Sequence, residues 1–250
     1  MFAHKFGKLP PKRHPKTLRL SKYLDAGTLP PPEIVRGWEI QSGITDFGML
    51  GNDSVGDCVI AAMLHYLMMA KAIEGSPVTY TTEQALALYS AITGYDPNDP
   101  STDQGTVWTD ALAYWQNTGV YGDKILGWAQ VDYTDPVKLN QAIDIFGAAL
   151  IGTAVTQSME DQFGKGEPWN APFSGEVLGG HGIPLTGFGR EGRTLITWGK
   201  AQPSDLTMPT AVFDEAYVVI TPSWLAKAEE TPLGIDLEAL QADLAAIKES

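Results

Sequence analysis

The chain has 250 residues, 44% hydrophobic and 10% aromatic, with 19% charged and a formal net charge of −13. That suffices for one large domain with a full core, or at most two small ones, and excludes a chain disordered throughout. No apolar run reaches the roughly 18–20 residues of a membrane-spanning helix, the net acidity argues against general nucleic-acid binding, and one cysteine with four histidines argues against a disulfide scaffold or a Cys/His zinc site.

The opening MFAHKFGKLPPKRHPK is basic but has no apolar stretch, so it does not read as a secretory signal. With a single thiol, this argues for a reducing compartment. Lys5, Lys8, Lys12, Arg13, Lys16, Arg19 and Lys22 precede the first acid, Asp25, which leaves ten bases against 30 acids beyond them. Such halves attract. The segment can lie across its own acidic body, or reach a neighbouring subunit, an anionic polymer or a membrane surface. Prolines at 10, 11, 30, 31 and 32 predict that residues 1–37 form an extended arm.

From Trp38 the composition turns globular. The glycine- and Asx-rich turn Gly51–Gly56 precedes an apolar helix predicted over about 57–73. Thr81 and Gln84 form a capping box for a helix to Ile92, and Gly94 follows its end. Residues 94–105 read as a loop, 106–117 as a helix, and Asp135-Pro136 opens a helix ending near Gly147. The texture then changes. Residues 148–156, 181–189, 193–199 and 216–222 read as strands, with a long loop between the first two, and 235–248 as an amphipathic helix with Leu237, Leu240, Leu244 and Ile247 on one stripe. Helices first and strands second is an α+β arrangement.

Cys58 stands where a helix begins, after a glycine-rich turn. Free amides and the helix dipole there lower a thiol pKa. A cysteine nucleophile needs a base. His4 and His14 lie in the arm, and His65, seven residues along the helix, stands roughly 10 Å away. That leaves His181, after Gly179-Gly180 at the start of a predicted strand. Taken alone, a free cysteine is ordinarily a small buried hydrophobe, and a lone histidine a satisfied turn or core residue.

Gly51-Asn52-Asp53-Ser54-Val55-Gly56-Asp57-Cys58 resembles the nucleophile segment of papain-like cysteine peptidases, with Asn52 six positions before the cysteine, where that family has its oxyanion-hole amide. Upstream, Trp38 and Gly43-Ile44-Thr45 resemble the family's lead-in. Downstream, Thr82-Glu83-Gln84-Ala85-Leu86 resembles its Ser-Glu-Gln helix start. Asp103-Gln104-Gly105 with Trp108, Ala111, Tyr114 and Gly119 resembles its glycine-led third helix. His181 with Gly187 and Gly189 resembles its histidine strand, Thr197-Trp198-Gly199 its Ser-Trp-Gly, and Asp214-Glu215-Ala216-Tyr217 the start of its last barrel strand. The likeness runs in order over about residues 38–222.

The resemblance implies a papain-like α+β fold. Residues 1–37 would be the arm, 38–147 a mainly helical half, 148–225 a mainly β half with a cleft between the two, and 226–250 a linker and amphipathic helix. It implies hydrolysis of a peptide or related amide bond, with Cys58 as nucleophile, His181 as base, Asn52 in the oxyanion hole, Thr197 and Trp198 as orienting or substrate-binding residues, and no cofactor or metal. The family's ring-orienting asparagine falls at Ile196, which accepts no hydrogen bond, and strand alternation points Thr197 to the opposite face. Asn52 is one methylene shorter than the family's glutamine, Asp57 tends to raise the thiol pKa, and Val59 replaces the usual aromatic.

The run GND…GDC, GGH and Trp198-Gly199-Lys200 with Asp214-Glu215-Ala216-Tyr217 also resembles papain-like proteins of bacteriophages and bacteria. That resemblance implies an alternative: a catalytically weakened structural or binding component, as in a virus particle, fastened to neighbouring subunits by residues 1–24 and the C-terminal helix. In a third reading residues 1–37 cover the cleft as an inhibitory pro-segment.

Overall fold

The structure, a computed structural model, describes residues 4–24, 35–230 and 234–249. After β1 (Leu18–Arg19), β2 (Arg36–Gly37) and the short α1 (Trp38–Ser42), three helices form the first half: α2 (Cys58–Ile73), α3 (Thr82–Thr93) and α4 (Trp108–Asn117). Twelve of the 16 residues of α2 are buried, as expected of a helix apolar on every side. It packs against α1, α3, α4 and the sheet. Trp108, Trp115, Tyr89 and Leu112 complete this core.

The capping box of α3 forms as the sequence predicts. Thr81 Oγ1 accepts from the Gln84 amide at 3.3 Å, and Gln84 Oε1 from the Thr81 amide at 2.9 Å. Gly94 closes the helix in the left-handed region at φ 80°.

The second half follows as β3 (Gly127–Gln130), α5 (Pro136–Phe146), β4 (Ala149–Thr156), α6 (Gln157–Gly164), β5 (Val177–Phe188), β6 (Arg193–Thr197), β7 (Lys200–Ser204), α7 (Met208–Val212), β8 (Phe213–Ile220), α8 (Pro222–Glu230) and α9 (Leu237–Glu249). The Asp135 carboxylate caps α5 by accepting from the amides of Val137 and Lys138. The strands run β1-β3-β8-β4-β5-β6-β7, with β2 beside β5. All pairs are antiparallel except β1 with β3. The architecture is α+β.

Beside the short β1, β2, α1 and α7 and the helix α8, three further elements were not expected. Helix α6 lies in the predicted long loop; it buries only Met159 and is held by backbone bonds from Gln157 and Ser158 to Glu176 and Ser174. Strand β7 contains Pro203, which an edge strand tolerates because the missing amide need not join a ladder. Strand β3 is too short to show a period. The stripe of α9 docks on its own sheet through Leu240 and Leu244. Among the described residues no helix is long and apolar enough to cross a membrane.

Candidate active site

Cys58 is the first residue of α2 and is 1% exposed. The loop before it is pinned from α4's side of the fold. The Asp103 carboxylate accepts from the Gly56 amide at 3.1 Å and from the Tyr89 hydroxyl at 2.8 Å. Cys58 Sγ accepts from the Gly182 amide at 3.4 Å. The helix start predicts a depressed thiol and Asp57 a raised one; the structure sides with the second, through burial first and the Asp57 charge as a lesser cause. Burial pushes the thiol up to about 11, against the opposing pull of the Gly182, Gly7 and Lys8 amides. The terminal dipole of a helix is outweighed when the sulfur is taken out of water.

His181 lies on β5 and is also 1% exposed. Its Nε2 is 2.8 Å from Thr197 Oγ1. Its Nδ1 is buried and has no hydrogen-bond partner among the described residues. The imidazole and the Cys58 thiol line one small cavity of about 10 Å³, together with Asn52, Met49, Gly182 and Trp198. Burial lowers the imidazole to about 3, so both groups are neutral around pH 7 in this arrangement.

The expectation for Thr197 needs correction. Leu185 pairs with Leu195, so His181, Ile183 and Leu185 share a face of β5 with Leu195 and Thr197 of β6. Ile196 points the other way, into the helical core. Thr197 and Ile196 do face opposite sides, but the imidazole is on the side of Thr197. Beyond Thr197, Trp198 (φ 46°) and Gly199 (φ 78°) make a two-residue hairpin turn with both residues left-handed. A tryptophan is strained there, and that conformation stacks its ring 4.8 Å from the His181 ring.

Asn52 is 2% exposed, and its Nδ2 donates to the Lys5 and Val55 carbonyls, each at 3.2 Å. His65 is a satisfied core histidine. Its Nε2 meets the Gly48 carbonyl at 2.9 Å, and burial lowers it to about 4.

The cleft is filled by the chain itself. The Lys5 amide donates to the Asn52 carbonyl (3.1 Å), the Lys8 amide to the Gly180 carbonyl (3.0 Å), the Thr106 amide to the Gly7 carbonyl (2.8 Å) and the Leu9 amide to the Thr106 carbonyl (2.9 Å). A Cβ on Gly7 would overlap the Gly56 carbonyl, and one on Gly180 the Lys8 carbonyl, so these backbones meet only because neither carries a side chain. His4 stacks on Trp198 at 4.0 Å and meets Glu160 at 3.0 Å. Phe6 lies edge-on to His181 at 6.0 Å. Lys8 buries its ammonium against Asp214 (2.5 Å) and Glu215 (2.9 Å). Sequence reasoning missed Lys8, Asp214 and Glu215 as a group; the uneven charge was the one signal of them. Among the described residues no cluster of His, Cys, Asp and Glu could hold a metal ion.

A helix bearing a cysteine at its first turn, facing a histidine on an antiparallel sheet across a cleft, is the papain-like fold. Xylellain, a cysteine protease from Xylella fastidiosa, superposes with a TM-score of 0.68 at 11% identity, over 88% of this chain and 97% of that one. The ragweed pollen allergen Amb a 11, a cysteine protease in its proform, gives 0.58 at 15% identity, over 78% and 68%. Digestive procathepsin L 3 of Tenebrio molitor larval midgut gives 0.57 at 12%, over 84% and 75%. At these identities the likeness is one of fold. No family model matches the chain, and no curated protein matches it by sequence.

Proposed function

We propose that this chain is a cysteine hydrolase of peptide or related amide bonds, held closed by its own residues 4–9. The observation that carries the reading is the state of His181. One ring nitrogen is tied to Thr197, and the other is buried and unpartnered beside the cavity that Cys58 also lines. Nδ1 makes no hydrogen bond to the thiol in the closed state and is thereby free to take its proton, with Thr197 Oγ in the orienting role.

In the closed state the residues are in the wrong electrical form. Desolvation keeps both the thiol and the imidazole neutral. The Asn52 amide is spent on the Lys5 carbonyl. The sulfur accepts from the Gly182 amide, and the Gly7 and Lys8 amides are near enough to pull its pKa down without overcoming burial. When the segment leaves, water returns and the ion pair becomes accessible: the thiol proton passes to His181 Nδ1. The thiolate then attacks a substrate carbonyl carbon. The oxyanion is held by the Asn52 side-chain amide and the Cys58 backbone amide, and the imidazolium gives its proton to the leaving amine. Water, deprotonated by the same ring, hydrolyses the thioester.

The assembly reading, in which residues 1–24 fasten neighbouring subunits, has less to support it. Lys8, Lys12 and Lys22 pair with Asp214, Asp110 and Asp243 of the same chain, which favours self-covering.

Alkylation of Cys58 by iodoacetamide at pH 7 tests the proposal. The wild-type chain should react more slowly than free cysteine. Gly7→Val, which expels the segment from Gly56, should react faster than free cysteine, and adding His181→Ala should remove that acceleration. A Gly7→Val protein no faster than free cysteine, with or without His181, overturns the reading.

A further inference from the structure

The place where Lys8 sits is more than a charge pair. Strand β8 carries a bulge: Gly152 pairs with Glu215 and Thr153 with Phe213, so Asp214 is the extra residue. Neighbouring residues on a regular strand point to opposite faces. A bulge re-aims one of them, and here Asp214 and Glu215 both reach the same ammonium. Glu215 is 1% exposed, and the Tyr217 hydroxyl donates to its Oε2 at 2.8 Å, which leaves Oε1 for Lys8. The floor is Gly152, where a Cβ would overlap both Lys8 Cε and the Asp214 carboxylate. The pocket therefore has room for a long unbranched stem and ends in two acids.

Its position also matters. The Lys8 amide bonds the carbonyl of Gly180, the residue before His181, and lies close enough to Cys58 Sγ to favour its thiolate. The neighbouring backbones of Gly7 and Leu9 are held by Thr106 through main-chain bonds alone. Those bonds read no side chain. Choice of residue at this point on a bound strand falls on the acidic pocket. Among the described residues Lys8 is the cation that pairs with either carboxylate. When the segment leaves, the pocket keeps a buried acid whose charge must be matched or lost.

We infer that the pocket formed by Gly152, Asp214 and Glu215 is a specificity site for the lysine or arginine side chain of an incoming peptide, and that Lys8 occupies it in the closed chain. This rests on the hydrolase reading for its substrate, but the pocket can be tested by binding alone.

The host is the full chain carrying Gly7→Val and Lys8→Ala, so that its own segment competes poorly, with Cys58→Ala added to exclude turnover. The probe is the synthetic peptide of residues 4–12, compared with versions bearing arginine, leucine or glutamate in place of its central lysine; binding is followed by calorimetry. Lysine or arginine should bind about tenfold or more tighter than leucine, and glutamate weaker still. Glu215→Gln should erase most of that preference, and Asp214→Asn, at the more exposed carboxylate, should reduce it even if Glu215→Gln does not fold. Equal affinity for the lysine and leucine peptides, no binding of any peptide, or a preference indifferent to both carboxylate variants overturns the inference. A lysine preference in a protein whose Cys58 proves unreactive keeps the pocket and removes the hydrolase. A reactive Cys58 with no preference does the reverse.

Discussion

The two walls of the cleft hold the same segment by different means. The helical wall offers backbone: Asn52 and Thr106 exchange main-chain or amide bonds with Lys5, Gly7 and Leu9, and Gly56 supplies a surface without a side chain. The β wall adds side chains to its one main-chain bond at Gly180: Trp198 and Glu160 for His4, Asp214 and Glu215 for Lys8. The first kind of grip reads no side chain beyond demanding glycine at position 7; the second discriminates among side chains. A closed state built this way is addressed to one segment by the β wall and merely accommodated by the helical one.

The walls also treat their buried acids differently. Burial raises both Glu215 and Asp57, but Glu215 has an ammonium and a phenol, whereas Asp57 has the like charges of Asp103 and Asp53 nearby.

Lys8→Ala strikes the β wall hardest. Removing one partner of a buried pair costs about 3–5 kcal/mol, enough to release the segment. Limited proteolysis within residues 4–12 should become fast while the rest of the chain stays resistant. If the segment stays protected, the backbone grip dominates and the contrast between the walls fails.

Asp57→Asn probes the helical wall, with the opposite sign. The native carboxyl holds its proton well above the ordinary 3.8, whereas the unfolded chain releases it there. Folding is therefore penalised increasingly as pH rises from about 4, by about 1.4 kcal/mol per pH unit until the native group ionises. The variant should be more stable than the wild type in urea at pH 7, and the gap should close toward pH 4. A gap independent of pH would mean that the group is ionised in the native state.

Thr197→Val removes the one partner of His181 Nε2, at about 1–3 kcal/mol for the buried nitrogen left behind. In the Gly7→Val background it should slow Cys58 alkylation; Thr197→Ser should restore it. In the closed protein, imidazole NMR signals of His65 and His181 should not titrate from pH 5 to 8, since burial keeps the rings neutral above about 4 and about 3. The unfolded chain takes those protons near 6.5, so the stability they confer is complete above that pH and is lost as pH falls toward 3.

Lys12→Ala lies outside both walls. Its pair with Asp110 is exposed on each side, and its loss should cost less than about 1 kcal/mol in chemical denaturation and leave the segment protected. A large effect there would erase the distinction between inner and outer parts of the arm.

Much of the fold was legible because its signals are short-range. Thr81 with Gln84, Asp135-Pro136 and the apolar run after Cys58 announce α3, α5 and α2 through local bonds and periodicity. The face of Thr197 was not legible. It depends on which side of β5 carries His181, a matter of register between two strands. Asp57 hinted at an elevated thiol, but the main cause was not legible, because a helix terminus says nothing about how much water reaches it.

By itself the sequence determined the order of helices and strands, the lone thiol at a helix start, and the basic run ahead of an acidic body, since each follows from neighbours along the chain. Tertiary structure alone decided that Lys8 would meet two consecutive acids. A one-residue bulge in β8 sets their directions, and chain segments about two hundred residues apart must pack before it has any consequence.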